Sequence, residues 1–144
     1  RVRREHGRLD VLVNNAFLIP PELIAGLPFW RCPISNWDDM IDVGLRSAYV
    51  ASVFAARLMV PHEAGLIANI SSSGAAEYAW HVAYGVGKAG LDRLTADTAH
   101  ELREHGVAVG AARFDGGVLV GGAVQPVSGG PAAGGVRDAE LAPV

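Results

Sequence analysis

The sequence predicts an α/β fold on a parallel sheet, and three observations carry that expectation. Residues 9–16, 65–70 and 107–112 are short apolar runs of strand length. Residues 36–60 and 83–105 lie between them and carry helical patterns. Strand, helix, strand, helix, strand is a βαβαβ order, which calls for parallel neighbours joined by right-handed crossovers.

The first run, Leu9-Asp10-Val11-Leu12-Val13-Asn14-Asn15-Ala16, reads as a buried parallel strand ending in two asparagines. A loop with Pro20, Pro21, Pro28 and Pro33 follows. Trp30 and Trp37, and Trp80 further on, are expected to be packing residues, with Trp80 a candidate for the border of a substrate pocket. Ser35 is the expected N-cap of the next helix, with Asp38 and Asp39 in its first turn. That helix should reach about Val60, where Pro61 stops it. Its apolar positions, among them Met40, Tyr49, Val50 and Phe54, cover more than one face and predict burial on two sides. A strand over 66–71, a Ser/Gly turn and a loop through Trp80 and His81 lead to the second helix. Leu91, Leu94, Thr98 and Leu102 keep a 3.6-residue period there, and Gly106 ends it behind the basic residues Arg103 and His105.

Residues 1–120 are therefore assigned to one partial α/β domain. Beyond Phe114 the character changes: glycine pairs recur and no aromatic residue occurs up to Val144. Such a segment buries too little apolar surface to offset its chain entropy, so 121–144 is expected to be a disordered tail.

Composition excludes several function classes. Half the residues are apolar, 19% are charged, and the formal net charge is −3. That balance gives no reason to expect nucleic acid or an anionic membrane as partner. Cys32 is the only cysteine, so no intrachain disulfide or thiolate metal cluster is possible, and a reducing cytoplasm fits. Arg1-Val2-Arg3-Arg4-Glu5-His6 does not open a signal peptide, and no uncharged apolar stretch has spanning length. The five histidines lack metal-ligand spacing, so no metal site is expected and surface positions are the main reading. His81, three residues before Tyr84, is also a candidate for substrate contact.

The chemistry concentrates in Tyr84-Gly85-Val86-Gly87-Lys88. Residues four apart on a helix share a face, so phenol and ammonium can enter one cleft. A free phenol has a pKa of about 10, too high for proton transfer at neutral pH, and a fixed cation beside it favours the phenolate. Tyr84 is thus a candidate general acid or base with Lys88 tuning it. The serine run Ser71-Ser72-Ser73 stands just upstream, at the carboxyl end of a predicted parallel strand. Open α/β sheets place ligands there.

Asn14-Asn15-Ala16, the serine run and Tyr84-x-x-x-Lys88 stand in the order and spacing of the short-chain dehydrogenase/reductase (SDR) superfamily, which the chain resembles over residues 8–110. Trp37-Asp38-Asp39, Val43-Gly44-Leu45-Arg46 and Tyr84-Gly85-Val86-Gly87-Lys88-Ala89 look most like its dehydrogenase/reductase member 1 branch. The resemblance implies a doubly wound, Rossmann-like sheet carrying NAD or NADP, with hydride exchanged between nicotinamide and a carbonyl or alcohol carbon. It implies Tyr84 as the proton donor or acceptor, Lys88 lowering its pKa and bonding the nicotinamide ribose, and a serine orienting the substrate oxygen. Local alignment puts that role on Ser72, whereas counting back thirteen residues from Tyr84 favours Ser71; Ser72 is the candidate carried forward. Asn14 and Ala16 would line the cofactor cleft. A homo-oligomer through helices 36–60 and 83–105 is also implied.

The chain departs from the family pattern in four places. No Thr-Gly-x-x-x-Gly-x-Gly turn precedes Asn14, so the match is to the family's C-terminal half only. The chain on its own is accordingly expected to be inactive, and the alternative reading is an inactive fragment or a dimerisation module. Phe17 replaces the glycine that usually follows Asn-Asn-Ala. Gly44 stands at the position of the family's helix asparagine. Arg113-Phe114-Asp115-Gly116 replaces a Pro-Gly turn.

Overall fold

The computed structural model describes residues 1–115 together with 118–120. The expected tail, 121–144, lies outside the described residues. Two single helical turns, α1 (Val2–Glu5) and α2 (Pro21–Ile24), flank strand β1 (Val11–Asn14). Then come α3 (Ser35–Ile41), α4 (Ser47–Met59), β2 (Gly65–Ser71), α5 (Val82–Leu102), β3 (Val107–Asp115) and β4 (Val118–Val120). The sheet order is β1-β2-β3-β4. The first three strands are parallel, with Val11 opposite Leu66 and Gly65 opposite Val107. β4 adds an antiparallel edge, Arg113 facing Val120. The predicted βαβαβ, Rossmann-like α/β fold is therefore present.

β3 runs past the expected end at residue 112 because it continues into this hairpin.

Both crossover helices pack on one face of the sheet. Ala55 and Met59 of α4 and Leu102 of α5 close over Ile67, Val107 and Val109. Small residues lead on α4, where Ala48, Ser52 and Ala55 are buried, because a helix must approach a sheet closely to exclude water. The expectation of two buried sides for this helix is corrected: Tyr49 and Phe54 are more than half exposed. Only one side of α4 meets protein among the described residues. Residues Ser35–His62 form a helical run long and apolar enough to cross a membrane by length and composition. Its buried side packs on the sheet as a crossover.

Other expectations need correction. β1 is an edge strand, and Val11 and Val13 are 51% and 56% exposed on the face opposite the helices, while Leu12 packs into the core. Ser35 is the first helical residue of α3 rather than its N-cap. Backbone carbonyls of Pro33 and Ile34 accept from Asn36 N–H (3.1 Å) and Trp37 N–H (2.9 Å), so the first turn needs no serine cap. Trp30, Trp37 and Trp80 are all exposed rather than packed inside. Thr95, not Thr98, is the buried threonine of α5.

Candidate active site

β2 delivers the serine run to the carboxyl edge of the sheet. Ser71 still belongs to the strand, on its helix-covered side, and its hydroxyl is buried without a partner among the described residues. Ser72 has extended backbone and starts a 3₁₀ turn, where its Oγ accepts from Gly74 N–H at 3.2 Å. Tyr84 Oη donates to Ser72 Oγ at 2.8 Å. The geometry thus pairs the tyrosine with Ser72 and leaves Ser71 aside.

Tyr84 reaches this point because α5 starts two residues earlier. His81 is its N-cap, with Nδ1 accepting from Ala83 N–H at 3.2 Å. That bond uses the unprotonated nitrogen, so the neutral ring carries its proton on Nε2. His81 is buried, which corrects the surface reading, and Nε2 has no partner among the described residues.

One turn further on, Lys88 lies on the face of Tyr84. Its Nζ donates to the Ile70 carbonyl at 2.8 Å and sits 5.4 Å from the Phe17 ring centroid and 5.8 Å from that of Tyr84. Burial of the ammonium lowers its pKa, and Asp92 opposes that shift only in part.

Phe17, noted in the sequence as a departure, packs edge-on against Tyr84 at 5.6 Å between centroids. Trp80 covers the same ring at 5.1 Å and 32°. A cleft of about 10 Å³, space for about one water, lies among Phe17, Met40, Gly44, Tyr84 and Lys88. Gly44 lies in a five-residue π turn, Asp42–Arg46, between α3 and α4.

Asn14 and Ala16 stand at the carboxyl end of β1. Asn14 Nδ2 donates to Asn69 Oδ1 at 2.7 Å and to Ser52 Oγ at 3.2 Å. Asn69 in turn donates to Thr95 Oγ1 at 2.8 Å. The Asn14 side chain therefore ties strand to strand and strand to helix, and Ala16 is an exposed loop residue. Asn69 and Thr95 were missed from sequence, although a polar residue in the middle of the run Leu66–Ile70 is a usable signal. Among the described residues no group of His, Cys, Asp or Glu could hold a metal ion.

Three parallel strands, a serine at the end of the middle one and a Tyr-x-x-x-Lys face on the next helix define a Rossmann-like fold of the short-chain type. The short chain dehydrogenase family model matches residues 1–115, and the chain belongs to that family. It is 54% identical over 107 residues to the human dehydrogenase/reductase SDR family member 1, covering 73% of this chain and 34% of that protein. A 3-oxoacyl-[acyl-carrier-protein] reductase of Staphylococcus aureus is 35% identical over 74% of the chain and 42% of its own length. Among solved structures, a metagenomic short-chain oxidoreductase in complex with NADP superposes with a TM-score of 0.70 at 37% identity, covering 78% of this chain and 49% of that one. An acetoin dehydrogenase from Enterobacter cloacae gives 0.67 at 35%, covering 76% of this chain and 42% of its own. The chain spans about a third of the human relative (34%) and less than half of the bacterial reductase (42%).

Proposed function

We propose that this chain carries the proton-transfer side of an NAD- or NADP-dependent oxidoreductase acting between a small carbonyl compound and its alcohol. The observation behind it is the Tyr84–Ser72 hydrogen bond of 2.8 Å with the Lys88 ammonium on the same helix face. In reduction, the substrate oxygen takes the place beside Tyr84 Oη and Ser72 Oγ. As negative charge grows on that oxygen, Ser72 donates a hydrogen bond and Tyr84 transfers its proton. The Lys88 cation then stabilises the phenolate left behind. In oxidation the same proton returns to Tyr84. The nicotinamide, when bound, supplies or accepts the hydride.

The residues fit one end of such a cofactor. Lys88 spends one N–H on the Ile70 carbonyl and keeps two for ribose hydroxyls. Asn14 and Ala16 border the same edge of the sheet. The described residues offer no glycine-rich strand–turn–helix for the pyrophosphate, so this chain alone should bind cofactor weakly and turn over little. The test is NAD(P)H oxidation with a panel of ketones by a complete protein containing this segment. Tyr84→Phe should remove nearly all of the rate, and an undiminished rate would overturn the proposal. A cytoplasmic setting belongs to the same reading.

A second reading, a dimerisation module, is motivated by the apolar stripe of Tyr49, Val50 and Phe54 on α4, with Val86 exposed on α5. A homodimer, or a heteromer with an intact homologue, should then appear by native mass spectrometry. Monomer alone at tens of micromolar would dispose of it.

A further inference from the structure

Trp80 has φ +61°, a left-handed conformation that a bulky aromatic residue adopts only under constraint. The Ala79 carbonyl accepts from His81 N–H at 2.7 Å around it, the hydrogen bond of a γ-turn, which with positive φ is the rare and strained form. Tyr78 Oη also donates to the Trp80 carbonyl at 3.2 Å. The consequence is to lay the indole against Tyr84, while Phe17 packs edge-on against that ring and stands 6.4 Å from Trp80. Both rings keep open surface, 61% of Trp80 and 39% of Phe17.

We propose that Phe17 and Trp80 form a stacking site for the ring of a planar aryl or conjugated ketone, whose carbonyl oxygen then lies beside Tyr84. The exposed parts of two neighbouring aromatic side chains favour a flat π ligand over a saturated ring of the same size. The substrate class rests on the reading of Tyr84 given above; the stacking site does not. A saturated ketone of equal volume gains only burial there.

The test needs neither cofactor nor turnover. 4′-Fluoroacetophenone is titrated against the full chain, with binding read from its ¹⁹F signal. Cyclohexyl methyl ketone and nicotinamide serve as displacers. Expected is saturable binding that cyclohexyl methyl ketone displaces only at concentrations about three- to tenfold higher than acetophenone needs. Phe17→Leu should weaken binding by a similar factor. Trp80→Gly separates binding from folding. Glycine fits the left-handed turn, which offsets part of the packing lost with the indole, so the variant should still unfold cooperatively within a few degrees of wild type and yet bind at least threefold more weakly. Undiminished binding in Trp80→Gly, or equal displacement by the saturated ketone, would overturn the proposal. Displacement by nicotinamide as effective as by acetophenone would overturn it in favour of the cofactor ring. In a complete enzyme, binding without reduction would count against the Tyr84 chemistry alone. Reduction with no preference for aryl ketones would count against the stacking site alone.

Discussion

A Cβ on Gly74 would lie 2.6 Å from Cε1 of Tyr84 and 3.2 Å from Ser72 Oγ, so the space this glycine leaves is the space the phenol occupies. The 3₁₀ turn after β2 thus determines how close tyrosine and serine come. Gly74→Ala should force the ring away from Ser72. Overpacking of this kind costs about 1–3 kcal/mol, visible as a lowered urea midpoint at unchanged m. An unchanged midpoint would mean that the ring is not held by this contact.

Asn69 holds together what Tyr84 and Lys88 stand on. It is 1% exposed and links Asn14 on β1 to Thr95 on α5. Asn69→Ala should cost about 2–3 kcal/mol, because it opens a void and removes the shortest hydrogen bond of Asn14 along with the one to Thr95. Thr95→Val should cost about 1 kcal/mol. In the double variant the two losses should fall short of additivity by 0.5 kcal/mol or more, by roughly the usual coupling of contacting groups. Strict additivity in urea melts would show that the 2.8 Å bond contributes nothing.

The order of elements was legible because periodicity is local: three apolar runs, two helical patterns, and Gly106 as stop signal. The meeting of Tyr84 with Lys88 was legible too, since one helix carries both. What escaped depended on the partner element. Tyr49 and Phe54 read as buried, yet which side of α4 faces the sheet is decided by Ala48, Ser52 and Ala55, which carry little apolar signal. Val11 and Val13 read as core because a parallel strand is usually covered on both faces. The choice between Ser71 and Ser72 turns on one residue of strand pleat, which spacing alone left open. Trp80 read as a packing residue or a pocket border, and its left-handed backbone was not legible because backbone strain has no sequence signature.

Lys88 gives a stability term with a definite sign. Its folded pKa lies below the ordinary 10.5 through desolvation. Between the folded and unfolded values the unfolded chain binds more protons, so stability rises with pH across that window. The penalty for burying the ammonium is present in full below the window and relieved as pH climbs through the lowered pKa toward 10.5. Lys88→Met removes this contribution, so the gap in unfolding free energy between wild type and variant should shift in favour of wild type as pH rises from neutral toward 10.5. Because other titrating groups are common to both proteins, the difference isolates Lys88. A gap that is flat across that range would contradict burial of the ammonium.

Two further glycines should respond to a side chain in opposite ways. Gly106 ends the last turn after α5 at φ +68°, and a Cβ there would run into the Glu63 carbonyl. Backbone cannot yield as a flexible side chain does, so strain and clash add. Gly106→Ala should cost about 2–4 kcal/mol, enough to lower Tm by ten degrees or more in a domain of this size. A Cβ on Gly44 would meet nothing within 4 Å, and its φ is not in the left-handed region. Gly44→Asn should therefore leave Tm within about two degrees of wild type, with the small helix-propensity gain offset by the irregular π turn. The new carboxamide would stand at the cleft shared with Tyr84 and Lys88. In a complete enzyme of the proposed type it offers an added hydrogen-bonding group near Lys88, and kcat should rise or hold rather than fall. A loss of Tm in Gly44→Asn comparable to that of Gly106→Ala would show that the π turn is already tightly packed.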